Sequence, residues 1–155
     1  MNHDRTLASP AFPDDDGTAD MVLAAAFGDD ISVLSVIADA RVFVPIIALL
    51  GEAPTDGDKN AEMAAVLMTG ADGRRALLAF SSVLSMMQWD AKARPVPIRG
   101  GDAARAALDE GAAAIVLDLA NPTFTVIETA DVEHLAAGDR LVQSEAGPVW
   151  LPAST

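Results

Sequence analysis

Hydrophobic and polar positions along this chain change period several times, and each change predicts an element. Asp20 stands at a helix N-cap ahead of the apolar run M-V-L-A-A-A-F, and Gly28 is a natural stop, which predicts a short, mostly buried first helix. Asp29 and Asp30 then precede Ile31, Leu34 and Ile37/Ala38 at helical spacing. From Arg41 the chain turns β-branched and aromatic, with Val42, Val44 and Ile46 alternating against Phe43, Ile47 and Leu49. Apolar residues on both alternations predict a strand covered on both faces or placed at a subunit contact. Pro45 cannot donate a ladder hydrogen bond, so this strand is expected at a sheet edge or with a bulge.

A turn-rich linker over residues 51–60 leads to a strand over 62–69, paired through an Asp72-Gly73 turn with a second strand over 75–80. Ser81 and Ser82 open a short helix that closes near Trp89. Pro95 and Pro97 then favour an extended, edge-like strand, and Asp102 is placed to cap a helix over 103–110 that Gly111 ends. Residues 113–119, A-A-I-V-L-D-L, read as a strand that Asn121-Pro122 turns into 124–128. Thr129 or Asp131 starts a last helix, closed by Gly138. The order predicts a single-domain α+β fold, a mixed β-sheet built from hairpins with short helices packed on it. Its parts are an extended or disordered arm over 1–17, a body over 18–138, and a C-terminal appendix over 139–155 that docks on the body.

Composition narrows the chemistry. The 155 residues suffice for one domain with a real core, and with no cysteine that core rests on packing without disulfides, thiolate metal sites or cysteine nucleophiles. A formal charge of −13 repels phosphate backbones, so nucleic acid and anionic membranes are poor partners. The apolar run over 42–50 is too short for the roughly 20 residues of a membrane span. The N-terminus lacks a basic segment followed by an apolar one, so a cytoplasmic location is expected.

His3 and His134 are the whole imidazole supply, and neither has a partner that the sequence identifies; His134 reads as a surface or core histidine. No nucleophile elbow or phosphate-binding glycine loop is present. Asp56, Asp58 and Asn60 imitate the start of a calcium loop, but Ala61 and Leu67 stand where its glycine and glutamate belong. Gly100-Gly101 before a helix suggests an anion pocket, which Asp102 would repel. Ser81 and Ser82 occupy a strand-to-helix turn where nucleophiles occur; without an activating base they read as caps. Arg74 and Trp89 are residue types enriched at binding hot spots, against the plainer reading of a solvated hairpin residue and a core cap.

The motifs P-A-F-P-D-D-D-G-T-A-D (10–20), R-V-F-V-P (41–45), D-K-N-A-E-M-A (58–64), D-G-R-R-A-L-L-A-F-S-S (72–82), Trp89, A-R-P-V-P (93–97) and E-G-A-A-A-I-V-L-D (110–118) occur in this order. In order and spacing they resemble the N-terminal domain of the SseB family, actinobacterial members in particular, a family named for enhanced serine sensitivity. Ala79 stands where a proline is expected in relatives and Ser81 where threonine is common. The resemblance implies an α+β domain and no established reaction; some relatives carry a second domain, for which this chain is too short. The reading that follows is a non-enzymatic module binding a protein partner or itself, with Arg74, Phe80, Ser81 and Trp89 forming or supporting the contact surface and no catalytic residue, metal or cofactor assigned. The alternative is a small-molecule sensor in amino-acid metabolism, motivated by the family name.

Overall fold

A computed structural model describes residues 12–49 and 62–153. In chain order the elements are α1 (Met21–Ala26), α2 (Asp30–Val36), a 3-10 turn (Ile37–Asp39), β1 (Arg41–Leu49), β2 (Glu62–Ala65), β3 (Leu67–Thr69), β4 (Arg75–Ala79), α3 (Val83–Trp89), β5 (Arg94–Arg99), α4 (Gly100–Asp109), β6 (Ala114–Leu117), β7 (Thr125–Ile127), α5 (Thr129–Ala137), β8 (Arg140–Ser144) and β9 (Gly147–Leu151). This is the single-domain α+β architecture that the pattern predicts. The strands form a three-stranded sheet in the order β2-β1-β5, a four-stranded sheet in the order β3-β4-β6-β7, and the hairpin β8-β9. All pairings are antiparallel except β4 with β6, which run parallel.

The two larger sheets meet at a seam. Phe43 and Phe80 exchange backbone hydrogen bonds of 2.7 and 2.8 Å, while Val66 donates to the Pro45 carbonyl and accepts from the Leu78 N–H. Residues 62–69, expected as one strand, therefore split at Val66: the first half pairs with β1 and the second with β4. β1 is central in its sheet, which corrects the edge placement inferred from Pro45. The proline is tolerated for a local reason. The Phe43 N–H points to Phe80, so the missing donor two residues on points into the same seam, just before pairing with β2 begins at Ile46. By the same alternation, Phe43 and Pro97 form a non-hydrogen-bonded pair, and Pro95 and Pro97 turn their donorless nitrogens to the free edge of β5.

Two apolar clusters hold the sheets. One packs α1, α2, α4 and α5 against one face, around Leu23, Val33, Leu77, Ile115, Ile127 and Val132. The other lies on the opposite face of the four-stranded sheet, where Leu78, Phe80 and Val116 meet Met86 of α3. Several local expectations change. The Asp20 carboxylate does cap α1, accepting from the Val22 and Leu23 N–H groups, but Met21 and Val22 are exposed, so that helix is not mostly buried. In α2 the buried residues are Val33 and Leu34, while Ile31 is exposed. Asp102 does not cap α4: that helix starts two residues earlier, at Gly100, and Asp102 pairs with Arg105 in its first turn.

From Phe12 onward the expected arm is tied down. The Asp15 carboxylate takes a bidentate hydrogen bond from Arg41, at 2.8 and 2.9 Å, and the Gly17 carbonyl accepts from the Val83 N–H. At the other end, the appendix is the β8-β9 hairpin. Leu141 is buried, Trp150 stacks on His134 at 4.6 Å, and Arg140 pairs with Asp39. Residues 50–61, including Asp56, Asp58 and Asn60 and the linker, lie outside the described residues, as does His3.

Candidate functional site

A buried, hydrogen-bonded polar cluster lies under α3. Asp118 directly follows β6 and is buried, with a positive φ of 60° that aspartate tolerates better than most residues. That conformation turns its carboxylate toward the adjacent parallel strand's end. There Oδ1 accepts from the Ser81 N–H (2.8 Å) and the Ser85 hydroxyl (2.9 Å), and Oδ2 from the Ser81 hydroxyl (2.6 Å). Ser82 completes the arrangement as N-cap, with reciprocal side-chain to backbone bonds between Ser82 and Ser85 that form a capping box. The pair of serines thus divides its work: Ser82 caps, whereas Ser81 anchors the turn to Asp118.

Arg41 fixes the other side of the same turn. It is almost fully buried, stacks over the Phe43 ring at 4.2 Å, and donates to the carbonyls of Ser81 (2.8 Å) and Thr18 as well as to Asp15. A lysine cannot reproduce this fork. Arg41→Lys is therefore expected to release the segment around residues 15–18 before the rest of the fold, which hydrogen exchange reads as lost protection at the Val83 amide, the donor to Gly17.

Fixed in this way, α3 has two unlike faces. Ser85 and Met86 are buried and Trp89 is half-buried, stacked on Phe80 with centroids 5.5 Å apart. Leu84 and Met87, three residues apart on the opposite side, are 67% and 48% exposed. The short helix also leaves part of the sheet beneath uncovered. Val126, paired with Val116 and so on this face, is 40% exposed, and Val66, Met68 and Leu119 are only half-buried.

Of the four residues singled out in the sequence, three come together here. Phe80 and Ser81 are buried and support the face from below; Trp89 reaches its margin. Arg74 does not join them. It lies at the far end of β4, some seven residues from Ser81, or about 20 Å of extended chain. Its guanidinium is held by Glu128 at 2.9 Å, and that hydrogen bond, with the glutamate charge, raises its pKa. His134 serves the C-terminal hairpin, with Nδ1 2.7 Å from Asp139. Sequence reasoning passed over Asp118, Arg41, Leu84 and Met87. A carboxylate inside the otherwise apolar A-I-V-L-D-L was the available signal for Asp118.

Beside the N-terminus of α3 runs an open groove of about 580 Å³, lined by Phe12, Asp15, Asp16, Gly17, Phe43, Val83 and Pro97. Asp16 accepts from the Thr18 N–H (3.0 Å) and hydroxyl (2.7 Å), which hold its carboxyl below the usual carboxylate range. Among the described residues no group of three or more metal-ligating side chains is placed to hold an ion, and no helix is long and apolar enough to cross a membrane.

The family profile described as SseB protein N-terminal domain matches residues 20–134. The chain belongs to the SseB family. The match runs from the cap of α1 to the middle of α5, and so includes both sheets, α3 and the Asp118 cluster. No curated protein and no solved structure matches the chain.

Proposed function

We propose that this SseB domain is a non-enzymatic protein-interaction module whose contact face is the outer side of α3. The observation that carries the reading is a helix held by a capping box, a buried carboxylate and an aromatic stack that nevertheless turns Leu84 and Met87 to solvent. Adjacent exposed apolar side chains on a preorganised element are the pattern of a docking surface, because little ordering entropy remains to be lost on binding. Methionine adds a side chain that adapts its shape to a partner. The Asp118 carboxylate, its hydrogen bonds filled by Ser81 and Ser85, supports a structural role under this face.

The test is a photo-crosslinking residue placed at position 87, with one at Glu133, an exposed position on α5, as control. Site-specific crosslinks to one protein, or to a second copy, are expected from position 87, and their loss in Leu84→Asp. Substituting an exposed residue leaves stability within roughly 0.5 kcal/mol, so that loss reads as contact. Equal, unspecific labelling from both positions, with a strictly monomeric protein in light scattering, overturns the proposal.

A further inference from the structure

The groove next to α3 narrows the chemistry of the partner, an inference that rests on the interaction reading above. Its lining combines apolar surface from Phe12, Phe43, Val83 and Pro97 with two carboxylates. The carboxylates are not equivalent. Asp15 is neutralised by the bidentate Arg41, whereas Asp16, among the described residues, takes hydrogen bonds from the uncharged donors of Thr18 and is exposed to an incoming group. Val83 connects the groove to the helix face, since Leu84 follows it and Met87 lies one turn on. The chain as a whole carries −13, so its long-range field favours a cation, against one cation at the groove's margin, Arg99, whose guanidinium lies over the Phe12 ring at 5.2 Å.

An occupant that satisfies both halves has a long apolar stem and a cationic end, which is the form of a lysine or arginine laid along apolar surface with its charge at the rim. We infer that the α3 face and the Asp16 groove together receive a basic amphipathic protein segment, its apolar stripe on Leu84 and Met87 and a Lys or Arg in the groove against Asp16. A second copy of this chain fits less well, because like charge opposes the approach of two such acidic surfaces.

The inference is tested with a labelled amphipathic Leu/Lys peptide of about 16 residues, long enough to hold a helix, and its Lys→Glu counterpart, read by fluorescence anisotropy against the intact chain. The basic peptide is expected to bind and the acidic one not to, with affinity falling as salt rises. Asp16→Asn, which keeps an acceptor oxygen for Thr18, is expected to weaken binding by about fivefold to tenfold, in line with one partly desolvated charge pair. Glu133→Gln makes the same change in net charge at a remote exposed site and is expected to leave affinity within about twofold. Equal losses in the two variants would show that net charge alone attracts the peptide and would overturn the groove assignment. If both peptides bind and Leu84→Asp abolishes each, the interaction face stands and the basic preference is wrong. If neither peptide binds while position 87 still crosslinks, the partner chemistry fails and the module reading survives; failure of both experiments removes both.

Discussion

Asp118→Ala is expected to cost about 3–5 kcal/mol of folding stability, with the Trp89 environment lost along with it. Three donors converge on that carboxylate, and all three are buried. The two serine hydroxyls can rotate, and Ser85 already has a second acceptor in the Ser82 carbonyl, but the Ser81 N–H cannot turn away. Leaving it unsatisfied costs about 1–3 kcal/mol, and lost hydrogen bonds from the hydroxyls add to that. Alanine at φ 60° costs a further ~1 kcal/mol. Asp118→Asn is the informative comparison: asparagine tolerates the left-handed backbone and keeps an oxygen for the Ser81 N–H, so a loss of about 1–2 kcal/mol is expected. Urea unfolding gives both numbers, and Trp89 fluorescence in a Trp150→Phe background reports whether α3 leaves the sheet. Similar losses in Ala and Asn would mean that the second carboxylate oxygen or the charge sets the requirement, because asparagine keeps both the backbone angle and one acceptor.

The consequence for binding follows from the same geometry. Asp118 touches the underside of α3 while Leu84 and Met87 lie on the outside, so under the proposed reading the carboxylate acts on the contact face by orienting it. The Asn variant therefore retains partner crosslinking from position 87 in proportion to its folded fraction.

Much of this fold was legible because local signals and tertiary structure agree. The Asp20 cap, the Asp72-Gly73 turn, the left-handed Gly138 and the apolar β6 each follow from short-range chemistry that packing leaves intact. The errors in the sheets originate in long-range pairing. Pro45 reads as an edge residue in any strand considered alone; only the seam with Phe80, far away in sequence, makes a central position possible. Likewise, nothing local divides residues 62–69 between two sheets. The site was half legible. Phe80, Ser81 and Trp89 sit within one stretch and do meet, but Arg74 in the same stretch is carried away by the length of β4. Asp118 and Arg41 act through contacts 23 to 40 residues distant, which periodicity does not encode. Leu84 and Met87 look like core residues by composition, and their exposure follows from Met86 and Trp89 having taken the inward side of a helix only seven residues long.

Gly100→Ala is expected to destabilise by about 3 kcal/mol or more, and Gly101→Ala to do the reverse. Gly100 and Gly101 adjoin in sequence, and neither has a left-handed φ, so turn chemistry does not explain them. Space does, and only for one. A Cβ on Gly100 would lie 2.0 Å from the Ile37 carbonyl oxygen and 2.8 Å from its carbon, both backbone atoms. The start of α4 or the 3-10 turn would have to move, and overpacking of this kind costs 1–3 kcal/mol even where side chains can yield, so about 3 is a floor for backbone. The displacement would also strain the Gly100 N–H bond to Ala40, which leads directly into Arg41 and hence to the anchor of the Ser81 turn. At Gly101 the nearest atom is 3.5 Å away, an ordinary contact, and a helical glycine replaced by alanine gains roughly 0.5–1 kcal/mol from the entropy of the unfolded chain. Thermal or urea unfolding of the two alanine variants should separate them by about 4 kcal/mol. Equal effects at the two positions would show that the close approach of α4 to Ile37 is relieved without cost, and that the glycine pair serves the helix start and not the packing.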